Sequence, residues 1–191
     1  MMSEKLALQA AKVGTPTPMR QSVSSKSGFA LLALALCVAP SAAQDLPAYQ
    51  DDRSSATALI QSLYNAIDRR EYLRAWSYFG DNAWTGAENE QAAADYETFR
   101  QGYADTDFVT LLTGAQSSEG AAGSTYYTVP VAIDAVDRAG HHSQFAGCYI
   151  LRLAQPAIQD SPPFRPLHIE RGGLHPARGA LETLLPQTCG Q

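Results

Sequence analysis

Beyond residue 26 the chain contains no lysine. Nor does it have an apolar run long enough to cross a bilayer. The run FALLALALCV, residues 29–38, is ten residues long, about half of what a spanning helix needs. Cysteine is scarce, at three, so thiolate metal clusters are not expected. The four histidines, His141, His142, His168 and His175, have no regular spacing, so no metal site is expected either. Gly172 and Gly173 follow a strand, but no helix opens after them, which argues against a phosphate loop. No cofactor motif is present, and none is expected.

Residues 29–38 do have an interpretation. Arg20 and Lys26 flank the run on one side, and APSAAQ follows it, with small residues at Ser41 and Ala43. This pattern reads as a secretory signal, with cleavage expected after Ala43. A start at Met19 would give a leader of ordinary length; otherwise residues 1–18 are expected to be a disordered extension. There is no Arg-Arg pair for twin-arginine export, and Leu36 before Cys37 does not fit a lipid anchor. The expected product is a periplasmic or secreted domain, residues 44–191, with no membrane span after processing.

That product carries ten basic residues, all arginine, against eighteen acidic ones, a net of about −8. An acidic chain without a basic patch excludes nucleic acid and anionic lipid as expected partners. Cys37 leaves with the signal, so Cys148 and Cys189 remain. In an exported domain they are expected to pair. The loop of about 40 residues would be worth roughly 4 kcal/mol in the chain-entropy model.

Periodicity then orders the chain. Residues 44–55 form a polar leader, and Ser54 or Ser55 can cap a helix. ATALIQSLYNAIDRR places Ile60, Leu63, Tyr64 and Ile67 on one stripe. Tyr72, Ala75, Trp76 and Phe79 repeat that spacing after a break near residues 69–71, and Gly80 stops the second helix. A polar loop follows, then a short helix over about 92–103 with Tyr96, Phe99 and Tyr103 on one side. From Phe108 the period changes. FVTLLTGAQ is a strand and SEGAAGS a turn-rich link. STYYTVPVAIDAV and HHSQFAGCYILRL form a long hairpin around DRAG. QPAIQDSPPFRP is a proline loop, LHIERGGL a last strand, and the rest a tail with a short helical turn.

Helices before an antiparallel run of strands give an α+β class. The expected architecture is a cone, with N-terminal helices in the concave side of a strongly bent antiparallel or mixed sheet. The domain is expected to span 56–174, with 175–191 as a tail tied to the sheet.

LIQSLYNAIDRREYLRAWSYF, YETFRQGYADTD, FVTLLTG and the hairpin around DRAG occur in an order that resembles the nuclear transport factor 2-like superfamily. Ketosteroid isomerases and polyketide cyclases share that cone fold. FAGCYILRLAQP and PPFRPLHI are similar to small exported bacterial members. The resemblance implies a fold and a pocket and no single activity. Its enzymes hold carboxylates and tyrosines inside the cone, and many members dimerise through the open sheet face.

Strand parity limits which side chains reach such a pocket. Tyr127, Val129, Val131, Ile133 and Ala135 share the inward face of one strand. Phe145, Tyr149, Leu151 and Leu153 share that of its partner, and Leu167 and Ile169 that of the last strand. Asp134, His142, Cys148, Arg152, His168 and Glu170 point outward. Bulges are expected at Pro130 or Gly147. No strand carboxylate points inward; the polar candidates are Tyr64, Tyr127, Tyr149 and, near strand ends, His141 and Arg171. A general base needs a carboxylate or imidazole within reach, and the fallbacks are Asp105, Asp107 and His141. Trp84 is expected in loop packing.

The leading expectation is a non-catalytic domain that binds a small apolar ligand or an envelope protein. Its pocket would be lined by Tyr64, Trp76, Phe99, Tyr127 and Tyr149. The alternative is an isomerase, dehydratase or cyclase-like enzyme acting on a small hydrophobic molecule. A homodimer is a further expectation, but the C-terminal tail is expected to lie across the open sheet face, because Cys189 must reach Cys148. A third expectation is a filled cone that serves only as an interaction module.

Overall fold

The computed structural model describes residues 46–80 and 90–189. The expected signal, its cleavage point at Ala43 and Trp84 lie outside the described residues. The first helix, α1, covers Ala56–Asp68. Ser55 caps it, its Oγ accepting from the Ala58 N–H at 3.1 Å, which satisfies an otherwise orphaned donor. The predicted stripe is its buried face: Ile60, Leu63, Tyr64 and Ile67 are all core.

The break before α2, Tyr72–Trp76, is a paired-hydrogen-bond C-terminus. Arg70 N–H donates to Ile67 O and Glu71 N–H to Ala66 O, both at 2.8 Å. Arg70 occupies the left-handed region between them, with φ 59°, as this motif requires. The second helix is shorter than its stripe predicts. The chain leaves it to form an isolated parallel bridge, Phe79 to Ile169, so Phe79 serves the sheet. α3 spans Glu90–Gly102.

Five strands follow: β1 Thr106–Thr113, β2 Ser117–Ala121, β3 Ser124–Asp137, β4 His142–Ala154 and β5 His168–Ala177. They form one sheet, ordered β1-β3-β4-β5, with β2 also paired to β3. Every ladder is antiparallel. The fold is α+β, with α1 against one face of an open sheet.

Two expectations about the strands are corrected. SEGAAGS is not a link. Ser117–Ala121 is a strand, joined to β3 through Ala122 and Gly123, both at positive φ (46° and 74°). A two-residue turn of that sign matches strand twist. All five strand residues are exposed, so no alternation marked it.

The bulges are also elsewhere. Pairing of β3 with β4 runs unbroken through Pro130 and Gly147; the irregularities lie at Thr106/Phe108 and Ile150/Leu151. Pro130 is tolerated because its carbonyl, which accepts from Gly114 N–H at 2.8 Å, points between the end of β1 and the start of β2. Its ring nitrogen faces the same way, where no strand asks for a donor. At Gly147 a side chain would collide with the Gly173 carbonyl oxygen of β5.

The predicted parity otherwise describes the core. Val129, Val131, Ile133, Tyr149, Leu151, Leu167 and Ile169 are buried together, with Tyr127, Ala135 and Leu153 against them. His168 departs from the outward set, being 5% exposed, because it packs beside Gly80. Its Nδ1 lies 2.8 Å from Pro166 O. The β5 bulge places Arg171 opposite Ile150 on the outer face, away from the core. The last strand also runs on to Ala177, further than LHIERGGL indicates. The proline loop holds one 3-10 turn, Pro156–Ile158.

The polar leader is built into the fold through Arg74. Its Nη1 donates to Gln50 O at 2.6 Å and Tyr78 Oη at 3.2 Å, and its Nη2 to Asn65 Oδ1 at 3.0 Å. Its Nε donates to Glu71 at 2.6 Å. Asp52 N–H donates to the fully buried Ser62 at 2.8 Å. These bonds hold residues 46–55 along α1.

After β5 a last helical turn, α4, Leu181–Leu184, packs against β3. Beyond it Cys189 joins Cys148 in a disulfide, with Cα atoms 6.0 Å apart.

Candidate functional site

The five side chains expected to share a pocket occupy three places. Tyr64 from α1 and Tyr149 from β4 meet in the core. Their hydroxyls are 2.7 Å apart and their rings pack edge to face at 6.5 Å. Burial pushes both hydroxyls well above the ordinary tyrosine range, with mutual repulsion adding at Tyr64. Burial also raises Tyr103, to about 12. None of these phenols ionises near neutral pH, so the pair can donate and accept hydrogen bonds only. One hydrogen bond joins the two hydroxyls, and either can be its donor.

Trp76 and Phe99 belong to a second place, an aromatic cluster between α2 and α3. Their centroids are 5.2 Å apart, with Phe79 at 5.8 Å from Trp76 and Tyr103 at 5.0 Å from Phe99. The spacing is that of ordinary aromatic core packing.

Tyr127 lies in the third place, apart from both. It lines a cleft of about 270 Å³ with Arg53, Ser54, Ser55, Gln116, Leu153, Phe164, Pro166 and Leu167. Local structure explains how these meet. The cap of α1 brings Ser54 and Ser55. Gln116, between β1 and β2, is drawn in because its Oε1 accepts from Thr57 Oγ1 at 3.2 Å. Gln159 shapes the proline loop that carries Phe164. Its Nε2 donates to Ala154 O and Arg165 O, both at 3.0 Å, and its Oε1 accepts from Arg165 N–H at 2.7 Å.

Among the described residues the Tyr127 hydroxyl and the Gln116 Nε2 make no hydrogen bond, while the Ser54 hydroxyl donates to the Asp52 carboxylate. Arg53 is engaged, through Ser77 at 2.8 Å, the face of Tyr78 at 4.4 Å and Asp51 at 3.7 Å. The cleft thus offers free donors above an apolar floor of Leu153 and Leu167.

The fallback bases sit apart from this cleft. Asp105 is exposed. Asp107 pairs with Arg70 at 3.3 Å. His141 is in the β3–β4 turn, its Nδ1 2.9 Å from Asp137, while His142 pairs with Asp134 at 3.0 Å. The two adjacent histidines therefore face different carboxylates.

One carboxylate escaped the parity argument because it is on a helix. Asp68 ends α1 and accepts from Val109 N–H of β1 at 2.8 Å. Partial burial raises it to about 6, against that hydrogen bond, with Asp107 adding repulsion. Its position was marked in the sequence: it lies one turn after Tyr64, on the buried stripe.

No protein-family model and no curated protein matches the chain. Two solved structures align with it at low identity. One, from Streptomyces avermitilis, is described as a dehydratase from the nuclear transport factor 2-like family. Identity is 10% and the TM-score 0.43, over 64% of this chain and 94% of that one. The other is the beta subunit assigned to an aromatic-ring-hydroxylating dioxygenase of Novosphingobium aromaticivorans. Identity is 14% and the TM-score 0.43, over 70% of this chain and 95% of that one.

At these identities and TM-scores the alignments leave the chemistry of the cleft to the chain's own residues.

Proposed function

We propose that the protein is exported and acts as a non-catalytic binding domain, with its ligand in the cleft beside Tyr127 instead of between the core tyrosines. The supporting observation is the lining of that cleft. Among the described residues it combines apolar side chains with the unpartnered Tyr127 hydroxyl and Gln116 Nε2, and it contains no carboxylate, imidazole or thiol. Acid–base or nucleophilic chemistry needs such a group in contact with the substrate, whereas binding needs shape and a few polar anchors. At about 270 Å³ the cleft suits a small molecule or one projecting side chain of an envelope protein. The disulfide fits an oxidising compartment. Among the described residues no helix is long and apolar enough to cross a membrane.

The experiment is native mass spectrometry of the protein recovered from the periplasm, followed by a small-molecule panel read by calorimetry. Copurifying or binding compounds should be lost in Tyr127→Ala and Phe164→Ala. Binding that ignores both variants would overturn the assignment to this cleft.

A second reading rests on Asp68. A half-buried carboxyl titrating at about 6 lies in the range of general acid–base catalysts. An isomerase, dehydratase or cyclase-like activity abolished by Asp68→Asn would replace the binding reading.

A further inference from the structure

The outer face of the sheet is where the chain departs from a simple open layer. Pro130 and Ala132 point away from α1, on the side where a bare sheet would meet water. Yet both are buried, Ala132 completely. The chain's own C-terminus packs against β3 on this side, beside Pro130. It leaves β5 at Ala177, opposite Gln144 of β4, crosses towards β3, where α4 packs, and returns to β4 at Cys148. Leu181, Leu184 and Leu185 share one side of this turn at helical spacing, while Glu182 and Thr183 are exposed. Leu185 lies with Pro130 around Gly114.

The fastening is uneven. Among the described residues, one hydrogen bond joins residues 178–189 to the sheet, from Gly179 N–H to Gln144 Oε1 at 3.0 Å. The others are internal to the segment, such as Leu185 N–H to Leu181 O at 3.1 Å and Thr183 Oγ1 to Ala180 O at 2.7 Å. One hydrogen bond, two leucines on a four-residue helix and Leu185 just after it are weak restraints on a segment of this length. The disulfide is the strong one. The core that holds the fold lies on the other face, between α1 and the inward residues of β3 and β4.

We propose that residues 178–189 are a redox-controlled strap. With Cys148 and Cys189 joined, the strap covers the apolar patch around Pro130 and Ala132. When a dithiol reduces that bond, the strap lifts and the patch is exposed while the rest of the domain stays folded. The exchange balances. A thiolate of the dithiol attacks one sulfur and the other cysteine leaves as a thiol. The second thiol of the reagent then closes on the mixed disulfide and releases the first cysteine. Two electrons pass to the protein, and the reagent ends as a cyclic disulfide.

The test uses the purified oxidised protein with and without dithiothreitol. Arg178 stands at the start of the strap and is exposed, but a protease needs the residues around it to be free. Reduction should raise trypsin cleavage after Arg178 by about tenfold or more, and should increase binding of an apolar dye. Thermal unfolding should stay cooperative at a lower midpoint. Cys189→Ser should behave as the reduced protein does and ignore dithiothreitol. Unchanged cleavage and dye binding on reduction would overturn the proposal. Loss of cooperative unfolding in the reduced protein, or failure of Cys189→Ser to fold, would overturn it too, because the bond would then hold the whole domain.

Discussion

Replacing Arg74 by methionine keeps much of the side-chain length and removes the charge and all donors. Arg74 is 13% exposed and binds Glu71 at 2.6 Å. It also holds Gln50 O at 2.6 Å and Asn65 Oδ1 at 3.0 Å, and stacks over Tyr49 at 4.6 Å. Hydrogen bonds from a charged donor are worth about 1.5–3 kcal/mol each, but these share one guanidinium and do not add. Glu71, about a third exposed, recovers much of its hydration. Removing one partner of a fully buried pair costs about 3–5 kcal/mol, so a loss of about 3 kcal/mol is expected at this half-open site. For a domain of this size that lowers the melting midpoint by about 10 °C. Lysine restores the charge but cannot reach Glu71, Gln50 and Asn65 together, so Arg74→Lys should still lose about 2 kcal/mol. Urea titration at pH 7 measures both, and hydrogen exchange should report faster opening of residues 46–55. A loss under about 1 kcal/mol for methionine, or full rescue by lysine, would refute the idea that this fan anchors the leader.

Other outcomes can be stated from the same contacts. Tyr149→Phe leaves the Tyr64 hydroxyl buried without a partner and should cost about 2 kcal/mol. The double variant with Tyr64→Phe should cost clearly less than the two singles combined, and additivity in a double-mutant cycle would contradict the shared hydrogen bond. Asp68, raised to about 6, is protonated more readily folded than unfolded. Its favourable contribution is therefore full below its ordinary value of 3.8 and is lost as pH rises through about 6. Urea melts across that window should show a falling limb that flattens in Asp68→Asn; an identical slope in the variant would rule Asp68 out as its source. Gly147→Ala drives a methyl group into the Gly173 carbonyl and should cost about 3 kcal/mol or more. A near-neutral thermal melt for that variant would mean that β5 lies further from β4 than described.

Much of the architecture was legible because it is periodic. Ile60, Leu63, Tyr64 and Ile67 announce a helix face, and alternation from Tyr127 to Ala135 announces a strand face. Both proved to be core. β2 was not legible, since SSEGA has no buried face and pairs only through its backbone. The candidate site was legible in pieces. Tyr127 was named, but the residues that surround it come from the cap of α1, the link after β1 and the proline loop, which no spacing connects. Asp68 was not legible from strand alternation because it ends a helix, and its burial arises where the end of α1 meets β1.

By itself the sequence determined the order of helices and strands, their inward faces and the expected pairing of Cys148 with Cys189. Each follows from local periodicity or simple counting. Only the tertiary structure decided that the two core tyrosines close on each other, that a cleft forms beside Tyr127, and that the C-terminal residues pack against the back of the sheet. Those arrangements depend on single polar contacts and packing between distant segments. Such contacts leave no repeating pattern in the chain.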